Sequence, residues 1–120
     1  MVDESNIEVQ SLGTMHEILR LLQEEGASRP SDIAEQLDKP VSTVHSHLTS
    51  LEHLEYLDSE DGAYQLSYRF LEYGGELRHR SPLYTAANPH VTSLADDTGK
   101  LVNLMGEEHG YAVIIALKHG

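Results

Sequence analysis

Five hydroxyl side chains, Ser42, Thr43, Ser46, Thr49 and Ser50, crowd into the segment DKPVSTVHSHLTSLEHLEYL, residues 38–57. A hydroxyl both donates and accepts hydrogen bonds, so such groups pair equally well with phosphate oxygens and with the edges of nucleobases. In a helix, Val44, Leu48 and Leu51 fall at i, i+4 and i+7 and make one apolar face, and the hydroxyls gather on the opposite face. That face holds no charged side chain, whereas a stripe that merely maintains solubility normally carries Lys and Glu. Two expectations follow: a contact surface for a polar partner, or a solvated helix end with Ser42 or Thr43 capping locally.

Histidine suggests a second chemistry. The chain has eight, with His45, His47 and His53 on or beside the same segment. His45 and His47 stand about 200° apart on a helical wheel, so the two rings cannot chelate one ion. No H-x-x-x-H pair occurs and cysteine is absent, so no metal site is expected. His45 is expected to flank the core or to contact a phosphate. No Gly-rich phosphate loop follows a strand and no nucleophile sits in a recognisable elbow, so neither catalysis nor a cofactor is expected.

Other segments must position these residues. Met15, Ile18, Leu19 and Leu22 make an amphipathic first helix that Gly26 ends. Pro30 suits the first position of a second helix, with Ile33, Ala34 and Leu37 as its apolar side. Asp38-Lys39-Pro40 then turns the chain into the third helix, which spans about residues 40–56. Three short helices with a tight turn between the second and third are the helix-turn-helix pattern. Tyr56–Asp58 and Ala63–Leu66 read as strands joined at Asp61-Gly62, a wing directly after that pattern. The expected fold class is mainly α with a small β-hairpin wing. In such folds the third helix enters the major groove, with Val41 to His47 nearest the bases. Val41 suits a thymine methyl.

Eight basic against twenty acidic residues give a net charge of −12, and only Lys39, Lys100 and Lys118 are lysines. Self-repulsion of this size destabilises a compact state in dilute buffer and is tolerable where salt screens it, at a Debye length of about 3 Å in 1 M salt. A halophilic source is the preferred explanation. The alternatives are an ordinary acidic protein, and one that mimics nucleic acid or binds a basic partner. The acidic N-terminus MVDESNIEVQS lacks an apolar signal region, and no stretch reaches a membrane span, so a cytoplasmic location is expected.

Residues 11–74 resemble the N-terminal domain of the IclR family of bacterial and archaeal transcription regulators. The resemblance rests on SL at 11–12, IL at 18–19, IAEQLD at 33–38 and P-x-S-T-x-H at 40–45. It continues with L-x-x-L at 48–51, Y-x-L at 64–66 and FLEYG at 70–74. Residues 87–115 look like the start of the family's effector-binding domain, with Pro89, Leu94, Ala95, Thr98 and Gly99 in register. The resemblance implies a sequence-specific regulator with four segments. These are a disordered acidic N-terminus (1–10), a winged helix-turn-helix (11–67), a linker helix (68–82) and the beginning of an α/β GAF-like effector domain (83–120). In the last, a helix over about 84–98 and a hairpin over about 101–105 and 111–117 are expected. The chain is expected to be either truncated or a naturally short member. A small-molecule effector in the full-length protein would shift the geometry of the reading heads.

The expected DNA contacts are Arg29, Ser31, Lys39, Val41, Ser42, Thr43, His45, Ser46, His47 and Arg69. Arg29, Lys39 and Arg69 serve as phosphate ligands, and the N–H groups by Ser31 add a further anion contact. Phe70, Tyr73 and Leu77, at i, i+3 and i+7, together with Leu21, are expected at a homodimer interface (or in a dimer of dimers) that reads a palindromic operator; otherwise they complete the wing's own core. Gly74-Gly75 would weaken a helix there. Two departures from the family stand out. Val41 and Ser46 occupy a helix where many members carry Arg or Lys, and the wing DSEDGA is acidic. Through Arg80 the chain has 6 basic and 16 acidic residues, a net −10, so counterion release offers little affinity. The competing expectation is an acidic winged-helix module that binds protein rather than DNA.

Overall fold

The structure, a computed structural model, describes residues 2–120. It divides into two compact units, one through Phe70 and one from Leu71 to Gly120.

The first unit holds α1 (Gln10–Glu25), α2 (Pro30–Leu37), α3 (Val41–His53), β1 (Leu57–Glu60) and β2 (Ala63–Leu66). Local chemistry sets most of these boundaries. Gly26 adopts φ 77° and its N–H donates to the Leu22 carbonyl, closing α1. Pro30 begins α2, where its missing N–H costs nothing. Asp38 turns left-handed at φ 53°, and the Lys39 N–H returns to the Ala34 carbonyl at 3.0 Å. Pro40 then leads into α3 in extended conformation (ψ 139°). Asp61 (φ 53°) and Gly62 (φ 82°) are both left-handed, as a two-residue hairpin turn requires.

Nine side chains form the core: Ile18, Leu21 and Leu22 of α1, Ile33 and Ala34 of α2, Val44, Leu48 and Leu51 of α3, and Leu57 of β1. Leu21 belongs to this core. The spacing of α1 had placed it off the apolar face and at a dimer interface, but α1 buries a face wide enough to include it, leaving it 7% exposed. The hairpin pairs antiparallel from Leu57↔Leu66 to Glu60↔Ala63, so its first strand begins one residue later than expected. A further pairing was not foreseen. Ser28 and Tyr64 exchange backbone hydrogen bonds of 2.9 and 2.8 Å, so the loop between α1 and α2 makes a bridge to the wing.

Within residues 1–10, expected to be a disordered acidic N-terminus, the described part holds a 3-10 turn at Glu4–Asn6. Asp3 caps it, accepting hydrogen bonds from the Ser5 hydroxyl and backbone N–H, and these hold its carboxyl below the usual aspartate range.

The second unit contains most of α4 (Arg69–Arg80), then α5 (Pro82–Thr98), β3 (Val102–Glu108) and β4 (Tyr111–Lys118). Gly74 and Gly75 lie inside α4 without ending it. The Ser81 hydroxyl caps α5 by accepting from the Tyr84 N–H at 3.2 Å. Gly99, at φ 68°, closes that helix. β3 and β4 pair antiparallel with a register shift between Leu104 and Met105, and α5 packs on them through buried Val91, Ala95 and Ala116. Among the described residues no helix is long and apolar enough to cross a membrane.

Candidate nucleic-acid interface

On α3 the core-facing residues Val44, Leu48 and Leu51 are buried, and Ser42, His45, Ser46, Thr49 and Ser50 are exposed. Thr43 and His47 are half-buried on the flank, and Val41, at the first turn, is 52% exposed. The uncharged hydroxyl face read from the sequence is thus open. No hydroxyl caps the N-terminus of α3. Instead, two successive side chains bond back to the preceding turn: Ser46 Oγ donates to the Ser42 carbonyl at 3.0 Å, and His47 Nδ1 lies 2.8 Å from the Thr43 carbonyl.

The four groups expected near phosphates differ in availability. Lys39 Nζ lies 3.6 Å from a Glu17 carboxylate oxygen, and both side chains are about a third exposed. Arg69 Nη2 lies 2.9 Å from Glu55 Oε2, and the same guanidinium sits 5.6 Å from the centroid of the Tyr56 ring. Arg29 is exposed, forms no ion pair among the described residues, and reaches the wing turn, where a Cβ on Gly62 would stand 2.8 Å from its Nη1. Ser31 is exposed in the first turn of α2, but Asp32 beside it already supplies negative charge to that helix end. The wing tip is acidic, and the Ser59 hydroxyl, on β1 near that tip, donates to the Glu52 carboxylate on α3. Neither Glu17 nor Glu55 could be matched to its cation from sequence, because neither pair lies within one element.

The residues expected at a dimer interface separate in the same way. Leu21 is core. Phe70 is half-buried with its ring 5.8 Å from that of Tyr56, so it helps close the first unit. Tyr73 is 49% exposed and Leu77 73% exposed. No cluster of three metal-binding side chains occurs among the described residues.

The first unit is thus a helix-turn-helix followed by a hairpin wing. Residues 14–61 match the IclR helix-turn-helix domain. The fold similarity extends beyond this IclR-type domain. The Thermotoga maritima IclR structure is 26% identical at a TM-score of 0.75, covering 92% of this chain and 46% of that one. An IclR family transcriptional regulator from Brucella abortus is 25% identical at a TM-score of 0.75, covering 100% of this chain and 46% of its own. An IclR homolog from Microbacterium hydrocarbonoxydans, solved in complex with 4-hydroxybenzoate, has the same fold (TM-score 0.76, 22% identity, 91% of this chain and 46% of that one). The chain therefore spans just under half the length of these proteins. No curated protein matches it. The expected fold class stands: helices with small antiparallel hairpins, built around an IclR-type winged helix.

Proposed function

We propose that this chain is the DNA-reading part of a transcription regulator of IclR type. In this reading α3 lies in the major groove, with Val41, Ser42, Thr43 and Ser46 toward base edges and His45 and His47 on the flanks. Arg29, Ser31, Lys39 and Arg69 meet the phosphates. The observation that supports it best is the open, uncharged hydroxyl face of α3 inside a domain that matches the IclR helix-turn-helix. Tyr73 and Leu77, which are exposed, contribute to pairing of two copies, whose α3 helices then read half-sites about one helical turn apart. Residues 83–120 begin an effector-binding domain, and a small molecule bound there shifts the DNA-binding equilibrium. The Microbacterium relative bound to 4-hydroxybenzoate makes a small organic ligand a reasonable class to screen. The protein works in the cytoplasm of a halophile, where molar salt screens its −12 charge.

Neutralised cations favour one rival reading. Glu17 and Glu55 already pair with Lys39 and Arg69, and an acidic winged helix with few free cations suits a basic protein partner. Fluorescence anisotropy with DNA from upstream of the chain's own gene and with a scrambled duplex, at KCl concentrations up to about 2 M, separates the two. Preference for the upstream duplex that persists at high salt is the expected result. No preference at any salt, with the protein folded, would overturn DNA reading and favour the protein partner.

A further inference from the structure

Two successive side chains of α3, Ser46 and His47, bond back to the preceding turn. Ser46 Oγ donates its single hydrogen to the Ser42 carbonyl at 3.0 Å. A carbonyl oxygen can only accept, so His47 Nδ1, at 2.8 Å from the Thr43 carbonyl, carries a hydrogen as well. A neutral imidazole protonated at Nδ1 presents a bare Nε2. Ser46, which is exposed, therefore shows acceptor lone pairs outward, and the half-buried neutral ring of His47 beside it adds an acceptor at Nε2. The whole of α3, Val41–His53, contains no Arg or Lys to supply a strong donor.

In the major groove guanine offers only acceptors, N7 and O6, whereas the donors are the N6 amino group of adenine and the N4 amino group of cytosine. From these facts we infer that α3 selects adenine or cytosine, the bases whose amino groups donate, at the positions that face Ser46 and His47. At these two residues it reads by acceptor rather than by the donor contact to guanine that an arginine would make. This inference rests on the proposed DNA reading and adds its chemical polarity. Rotating the Ser46 hydroxyl to donate to guanine would break the bond to Ser42. One such bond is worth about three- to ten-fold in an equilibrium, so the preference for an amino group should be of that size.

The test uses the full chain and a library of duplexes with a randomised centre. In the enriched duplex each adenine is replaced in turn by purine, which lacks the N6 amino group, each cytosine by 2-pyrimidinone, which lacks the N4 amino group, and each guanine by 7-deazaguanine. Loss of the amino group that faces Ser46 should weaken binding about three- to ten-fold in the unaltered chain and leave Ser46→Ala unaffected, whereas one that faces His47 should matter to both. Ser46 is exposed and alanine is the better helix former, so this variant folds. A penalty that Ser46→Ala abolishes at 7-deazaguanine, and not at the amino deletions, would overturn acceptor reading while leaving DNA reading intact. A library that yields no enriched sequence would overturn both.

Discussion

Arg69, expected to meet a phosphate, instead has Nη2 2.9 Å from Glu55 Oε2, and the carboxylate is the more exposed partner, at 76% against 32%. Glu55 sits at φ 70° between α3 and the wing, so the pair is fixed where the wing leaves the third helix. On the proposed reading, DNA would have to compete with Glu55 for this guanidinium.

Glu55→Gln should weaken that competition. An exposed pair of this kind contributes no more than about 1 kcal/mol to stability, so folding should barely change. Affinity for non-specific duplex should rise. If Arg69 then gains one phosphate contact, the slope of log K against log salt should steepen by about 0.9. Glu17→Gln beside Lys39 should act the same way. Salt titrations of both variants check this, and unchanged slopes would remove Arg69 and Lys39 from the phosphate contacts.

Leu21 offers a test of burial against association. Its place among Ile18, Leu22 and Ile33 predicts that Leu21→Ala destabilises the first unit by about 2–5 kcal/mol through the cavity it leaves. The loss should be independent of protein concentration in urea unfolding. Leu77→Ala, at 73% exposure, should leave unfolding almost unchanged. If Leu77 pairs two copies, sedimentation velocity should show that variant dissociating at higher concentration than the unaltered chain.

The wing turn predicts a backbone effect. Gly62 has φ 82°, where a residue with a Cβ is strained by about 1–2 kcal/mol. A Cβ there also meets Arg29 Nη1 at 2.8 Å, but that atom ends a flexible side chain and can withdraw. Gly62→Ala should therefore lower the melting temperature by several degrees. Arg29→Ala should weaken DNA binding without a comparable thermal loss, because the guanidinium is exposed.

Surface charge predicts a salt response. With 20 acidic and 8 basic residues, raising KCl from about 0.1 M to about 2 M should raise the melting temperature as repulsion among the carboxylates is screened. Thermal scans at matched KCl and sucrose concentrations separate screening from general solute exclusion. A melting temperature indifferent to KCl would remove the halophilic explanation.

The sequence by itself determined whatever depends on neighbours along the chain. Apolar residues at i, i+4 and i+7 set the buried face of α3, and Gly26, Pro30 and Asp61-Gly62 marked boundaries that the backbone obeys. These signals are local because helix and turn hydrogen bonds close within a few residues. The open hydroxyl face was legible for the same reason, since it is the complement of the apolar one. Only the tertiary structure decided which residues from distant segments meet. It buried Leu21, through the way α1 packs within the core, and it bridged Ser28 to Tyr64. It also set Glu17 against Lys39 and Glu55 against Arg69. Such pairings depend on how helices and strands are placed in space, a global outcome of packing that periodicity within one segment does not encode.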